Sequence, residues 1–454
     1  MTHKTTSIAS LFIGLVTLLS CGAAAQATNA PVLLRNDLTL RKVTALGGGF
    51  IRLAYDARTS QLIYMNPSGE VYQIKPTETK GKPLYAGSDV VGNTCVASGM
   101  TIGPDGAIYV TCNSKAAGTN TARVRKGALG GDGKRTWATL MQTEPYPIGD
   151  TQFDHDFNGL VVSPDGKWLY INSGSRTDHG EIEDAKGLWP GLRETALNTT
   201  VFRIPASSKS VITLPNDSAK LKMLGYVFTR GTRNCYDLAF AANGDLFCGD
   251  NSPDADYPDE INWLREGRHY GFPWRLGNED NAVIQPSYAA SADKKLHDDF
   301  FAVAKSLYKY ESNFPAAPSG IKFTDPVANL GPDADSYRKL DGSEGDASRE
   351  GKPLLGVTPH RSPLGLAFDI SNTLSADYKG ALFVLSWGSA GGTLHDAGQD
   401  LLLVKPTQRG DTYVATMTQI ARGFSRPIDA VLVGKKLYVL EYGDDGAIWE
   451  ISFP

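Results

Sequence analysis

The stretch Leu160–Gly174, LVVSPDGKWLYINSG, decides the fold. Two apolar runs, LVV and WLYIN, flank Ser-Pro-Asp-Gly, a turn in which proline presets one φ and glycine supplies a positive one. The flanking residues alternate as strands do, so the segment reads as a β-hairpin. The same pattern occurs upstream as LAYDARTSQLIYMN from Leu53 and MTIGPDGAIYVTCN from Met100. Downstream it occurs as LAFAANGDLFCGDN from Leu238, LAFDISNTLSADYKGALFVLSWG from Leu366 and AVLVGKKLYVLEYG from Ala430. No long 3.6-residue period competes over most of the chain. Six such hairpins predict an all-β, six-bladed β-propeller, in which each sheet covers the face of the next and closure protects the edges. A sandwich or a pair of domains built from unrelated hairpins is the competing arrangement.

Composition agrees. The chain has 48 glycines among 454 residues, well above the ~7% usual in globular proteins. Without a three-residue period, that excess means turns. Hydrophobic residues at 41% and charged residues at 21% describe a globular chain rather than a disordered one. Lys+Arg at 45 against Asp+Glu at 49 gives a net charge of −4, which offers no basic footprint for nucleic acid.

Lys4 followed by the apolar run Ile8–Leu19 predicts an export signal, too short to be a permanent membrane span. Leu18-Leu19-Ser20-Cys21 resembles a bacterial lipobox, with Cys21 as the lipidated residue. Ordinary cleavage near Ala25 or Ala27 is the other reading. Both predict an exported protein, periplasmic or anchored to the membrane as a lipoprotein. The expected organisation is a signal at 1–21, a linker at 22–45 and the propeller at 46–454. Export favours disulfides among the remaining cysteines. Cys95 and Cys112 flank the turn of one hairpin, and Cys235 and Cys248 flank that of another, which predicts the pairs Cys95–Cys112 and Cys235–Cys248.

Between the fourth and fifth hairpins, from about Ser252 to Arg361, lies an expected long insertion rich in Asp, Pro, Gly, Tyr and Trp. A loop of that length is usually functional. LHDDFFAVAKSLYKY, 296–310, has room for one short helix. The entry to this region, Gly231–Trp274, carries Asp250, Asp254, Asp256, Asp259 and Glu260 on Pro- and Gly-bent backbone. Oxygen ligands in that setting suit Ca²⁺, which takes about six to eight of them. A solvated acidic loop is the plainer alternative.

Within that stretch, Arg233-Asn234, Asn251-Ser252-Pro253, Asp259-Glu260-Ile261-Asn262 and Tyr270-Gly271-Phe272-Pro273-Trp274 occur in order. This set resembles the soluble quinoprotein glucose/sorbosone dehydrogenases, six-bladed propellers that use pyrroloquinoline quinone (PQQ) and Ca²⁺ to oxidise sugars. The resemblance implies that Arg233, Asn234 and Asn251 contact the quinone. It implies that the carbonyls of Ser252 and Pro253 hold an active-site Ca²⁺. Asp259, Glu260 and Tyr270 would serve the metal as well, Glu260 and Tyr270 at a second, structural site. Asn251-Ser252 stands where the family commonly has Gln-Gly.

Asp154-His155 enters the third hairpin as the family's Asp-His does. Alcohol oxidation by hydride transfer needs a base for the hydroxyl proton, and imidazole titrates in the right range. His155 is therefore the expected base, with Asp154 orienting it or the sugar; His179 in RTDHGE is the rival. Near the C-terminus, Thr358–Gly365 and Arg426-Pro427-Ile428-Asp429 resemble the family's cofactor-contacting segments. Guanidinium groups suit the three PQQ carboxylates. Arg426 matches the first arginine of the family's Arg-x-Arg-Asp, Ile428 replaces the second, and no lysine stands near Trp387-Gly388. His360 and Arg361 are the expected substitutes. The implied function is oxidation of an aldose or sugar alcohol, with electrons passed to an unidentified acceptor. A Ca²⁺-dependent propeller lactonase and a non-catalytic glycan- or protein-binding propeller are the alternatives.

Overall fold

The computed structural model describes residues 30–388, 392–396 and 398–454; the signal segment and Cys21 lie outside them. The hairpins form as expected. Their first strands are β1 (Arg52–Asp56), β2 (Val96–Ile102), β3 (Phe157–Val162), β4 (Cys235–Phe240), β5 (Pro363–Phe368) and β6 (Pro427–Val433). Each pairs antiparallel with the next strand in sequence and opens its own sheet. Each also packs on the first strand of the following sheet, and β6 packs back on β1. The result is an all-β propeller. Among the described residues no helix is long and apolar enough to cross a membrane.

Side chains on these inner strands stitch the ring. Arg52 Nε donates to Ser98 O at 3.0 Å, and Ser98 Oγ donates to Phe157 O at 2.7 Å. Asn158 Nδ2 donates to Asn234 Oδ1 at 2.7 Å. Asp237 Oδ2 accepts from Leu366 N at 2.8 Å, and Asp429 Oδ2 accepts from Leu53 N at 2.7 Å. The apolar core is divided between blades: one cluster joins Leu53, Met100, Val110 and Leu440, another Phe157, Leu169, Val124 and Met141. Both predicted disulfides are present, Cys95–Cys112 and Cys235–Cys248.

Three expectations need correction. First, five blades form where six were expected: five sheets have at least four strands, whereas that of β4 has three, Cys235–Phe240, Leu246–Asp250 and Glu260–Leu264. Second, the interval 252–361 is not one insertion. Glu260–Leu264 completes the sheet of β4, and Ala328–Pro332 and Leu354–Leu355 extend that of β5. Between them the chain folds on a small core of its own, with Tyr257, Phe272, Ala302 and Tyr308, and the predicted helix is one turn, Phe301–Ala304. Third, the linker 22–45 contains the strand Thr39–Ala45, which pairs with Ala447–Ser452 and becomes the outer strand of the sheet of β6. Its burial is confined to Val43 and Thr44, so it shows little strand alternation.

Candidate functional site

In an antiparallel hairpin the start of the first strand and the end of the second lie at one end. The residues just before β3, β4, β5 and β6, and those just after their partner strands, therefore share one rim of the ring. Most of the expected site segments fall there: 154–156, 231–234, 250–253, 358–361, 387–388 and 426; Glu260 opens the third strand of the sheet of β4, just after Asp259, and Tyr270 lies beyond that strand.

His155 is held from both sides of its hairpin. Its backbone N–H donates to Ser175 O at 3.0 Å, and Nδ1 lies 3.2 Å from that carbonyl and 3.2 Å from Ser175 Oγ. The carbonyl assigns the proton to Nδ1 and leaves the lone pair on Nε2, as a base requires. Burial, and then the neighbouring Arg233 charge, push the imidazole pKa down to about 3, so the ring is neutral. A Cβ on Gly174 would stand 2.4 Å from His155 Cβ, so this position must lack a side chain.

Asp154 does not orient His155. Both of its carboxylate oxygens accept from Gly149 N, at 3.0 and 2.8 Å, and burial next to the Asp156 charge raises it to about 7. The orienting group is Ser175. His179 is not an accessible base either. It is 1% exposed, stacked at 4.0 Å on Tyr308 and bonded through Nδ1 to Asp178 Oδ2 at 3.1 Å. Burial opposes its charge, but Glu181 and Asp178 outweigh this and raise its pKa.

Arg233 and Asn234 form a turn clamped by one carboxylate. Arg233 N donates to Asp250 Oδ2 at 3.0 Å, and Asn234 N donates to Asp250 Oδ1. The Arg233 guanidinium is aimed by Asp178, with Nε on Asp178 O at 2.8 Å and Nη2 on Asp178 Oδ1 at 3.0 Å. Asp178 also receives Tyr308 Oη at 2.9 Å and Asp254 N at 2.9 Å, joining the 252–310 region to the rim. Reading RTDHGE for its histidine alone missed Asp178; the signal was the acidic neighbour.

The Arg426 side chain has no hydrogen-bonding partner among the described residues and stands over the Trp387 ring, 5.6 Å from its centroid, with a backbone φ of 53°. It is a partly buried cation without a carboxylate. The expected substitutes are committed elsewhere. Arg361, 1% exposed, pairs with both Asp396 and Asp400. His360 Nε2 lies 2.9 Å from Asp256 Oδ1, while Asp256 Oδ2 accepts from Arg338 Nε at 2.8 Å.

The acidic residues do not form a cage. Among the described residues no three His, Cys, Asp or Glu side chains converge to hold a metal ion. Asp259 instead bridges two rim loops, accepting from Ser252 N and Ser362 N, each at 2.7 Å. Asp254 Oδ2 accepts from Ala302 N at 2.9 Å. Tyr270 Oη donates to Trp263 O and accepts from Arg265 N. Even so, Asp250, Ser252, Pro253, Glu260 and Tyr270 line a cavity of about 10 Å³, the size of one water or ion. Asn251 Oδ1 and Ser252 Oγ are buried there without a hydrogen-bonding partner. Burial and the nearby Asp250 charge raise Glu260 well above its ordinary value, a cost that a cation would offset.

Residues 41–325 match the glucose/sorbosone dehydrogenase family. Quinoprotein glucose dehydrogenase B of Acinetobacter calcoaceticus is 29% identical over 208 residues, which span 42% of this chain and 41% of that protein. The fold matches the apo-form of the soluble aldose sugar dehydrogenase of Escherichia coli (TM-score 0.57, 17% identity, 92% of this chain and 100% of the other). It also matches the PQQ-bound aldose sugar dehydrogenase of Streptomyces coelicolor (TM-score 0.52, 16% identity, 94% and 100%). The holo PQQ domain of Coprinopsis cinerea pyranose dehydrogenase is a third such structure (TM-score 0.60, 13% identity, 96% and 100%). With its family match covering well over half of its length, and with His155, Arg233, Asn234 and the Asp250 clamp inside that match, the chain belongs to the glucose/sorbosone dehydrogenase family.

Proposed function

We propose that the chain is an exported PQQ- and Ca²⁺-dependent dehydrogenase that oxidises an aldose or related sugar alcohol and passes electrons to an external acceptor. Cys21 is the proposed point of lipid attachment. The observation that carries this reading is the convergence of a neutral, pre-oriented His155 with Arg233 and Asn234, joined through Asn158. PQQ, when bound, supplies the two-electron oxidising power that this chain's side chains lack.

The donors present suit such a group: Arg233, Asn234 and Arg426 for its carboxylates and carbonyls, and the unpartnered Asn251 Oδ1 beside them. For Ca²⁺, backbone carbonyls of Ser252 and Pro253 and the unpartnered Ser252 Oγ are the fitting oxygens, given that the carboxylates make no cage. His155 Nε2 takes the hydroxyl proton of the substrate, and Ser175 keeps the ring in that tautomer. Asp178 keeps the Arg233 charge on the rim. The test is titration of apo-protein with PQQ and Ca²⁺, followed by quinone absorbance and by dye reduction with a panel of aldoses. Saturable absorbance change with turnover is expected. An unchanged spectrum at micromolar PQQ overturns the reading and leaves the lactonase and the glycan- or protein-binding alternatives.

A further inference from the structure

A second cavity, of about 480 Å³, opens on the outer edge of the sheet of β3, away from the ring's inner strands. That volume falls in the range of small-molecule sites, ~300–1,000 Å³. Its walls are the outer strand Val227–Arg230, the turn 266–269 and the segment 320–322. Four of the lining side chains are basic: Arg230, Arg268, His269 and Lys322.

Their partners are unequally distributed. Glu266, the one acidic side chain in the lining, is taken by Arg203 from outside it, at 2.7 and 2.8 Å. Arg268 pairs with Asp411 at 3.1 Å. Arg230 has only neutral acceptors, Thr200 Oγ1 at 3.1 Å and Ala196 O at 3.3 Å, and no carboxylate among the described residues. Lys322 is exposed and has no ion-pair partner among them. His269 Nδ1 accepts from Gly271 N at 3.2 Å, which leaves the ring proton on Nε2 and makes the imidazole a donor. Partly buried charges are normally paired, and Arg230 is not.

A cavity with an uncompensated guanidinium, a free ammonium and a neutral N–H donor is matched to an anion with several acceptor oxygens. We propose that this cavity binds a small oxyanion, a carboxylate or a phosphate, between Arg230 and Lys322. The site is independent of quinone binding, and its contents can be measured without turnover.

The experiment is isothermal titration of the full chain with sodium gluconate and, separately, sodium phosphate, at constant ionic strength with chloride as the reference anion. Saturable one-to-one binding of at least one is expected, and the arm that saturates identifies the anion class. Arg230→Gln is expected to weaken it about tenfold or more, the loss of one charge-assisted contact. Lys322→Gln, at an exposed position where folding is not in question, is expected to weaken it about threefold. Failure of both anions to saturate overturns the proposal. So does binding that is unchanged in Lys322→Gln and in an Arg230→Gln protein with an unaltered melting temperature.

Discussion

At the scale of single residues, the rim separates groups that look alike in sequence. Three Asp-His or His-Arg pairs, at 154–155, 178–179 and 360–361, carry the same chemistry on paper. Of the three, only His155 is bonded to no carboxylate: Ser175 holds Nδ1, whereas Asp178 and Asp256 hold the other two rings. His155 was legible because it precedes a recognisable hairpin. Ser175 and Asp178 were not, since their partners are set by how neighbouring hairpins lie side by side. His155→Ala is expected to lower kcat by about 10²–10⁴-fold, the range for loss of a general base, with PQQ absorbance retained. The pH profile has a definite sign. Held at about 3 rather than 6.5, His155 stays a base throughout the acid range, so it contributes no break near neutral pH. A break near 7 is expected from raised carboxyls instead, Asp154 and the Asp250 that clamps Arg233 and Asn234, and Asp154→Asn should remove its own share. A break near 7 that survives in that variant belongs to another raised carboxyl, Asp250 or Glu194. Gly174→Ala offers a separate test: the added methyl must push His155 aside, so kcat should fall, and the overpacking should lower the melting temperature as well.

At the scale of elements, the inner strands carry polar side chains that would be costly to bury singly. Asp429 spends one oxygen on Leu53 N of the next sheet and the other on Ala430 N. Burial first, and the Asp237 charge second, raise it to about 8, with Arg52 opposing. The folded chain thus retains a proton up to about pH 8 that the unfolded chain releases above about 3.8. Stability from this group is present at low pH and is lost as pH rises through 8. Asn at 429 keeps an acceptor for Leu53 N and has no such titration. The melting temperature of Asp429→Asn should therefore gain on the wild type between pH 6 and pH 9. Parallel curves would show that Arg52 cancels the effect. The hairpins themselves were readable because strand, turn and strand are contiguous. The three-stranded sheet of β4 was not, because a missing outer strand leaves no local mark.

At the scale of the whole molecule, what escaped the sequence is what joins its two ends. Thr39–Ala45 pairs with Ala447–Ser452 in the register Thr39↔Ser452 to Ala45↔Ala447, some four hundred residues apart in sequence. No turn announces such a pairing, and only Val43 and Thr44 of the seven residues are buried. Its energetic role is nevertheless large. Without it the strand Ala447–Ser452 becomes an open edge beside a buried face, the situation that invites aggregation. Val43, 1% exposed, packs in the cluster that also holds Tyr438, Leu440 and Ile448 of the last sheet and Leu53 and Ile63 of the first. Val43, from neither terminal hairpin, thus adds to the closure that β6 on β1 already makes. Val43→Asp should destabilise by more than ~4 kcal/mol, because it buries an unpaired charge at the closure. Thr39→Asp, on the same strand but exposed, should be within ~0.5 kcal/mol of the wild type. Thermal melts followed by circular dichroism and light scattering separate the cases. If both variants melt with the wild type, the closure rests on the inner-strand contacts alone, and the N-terminal strand is an ornament of the edge.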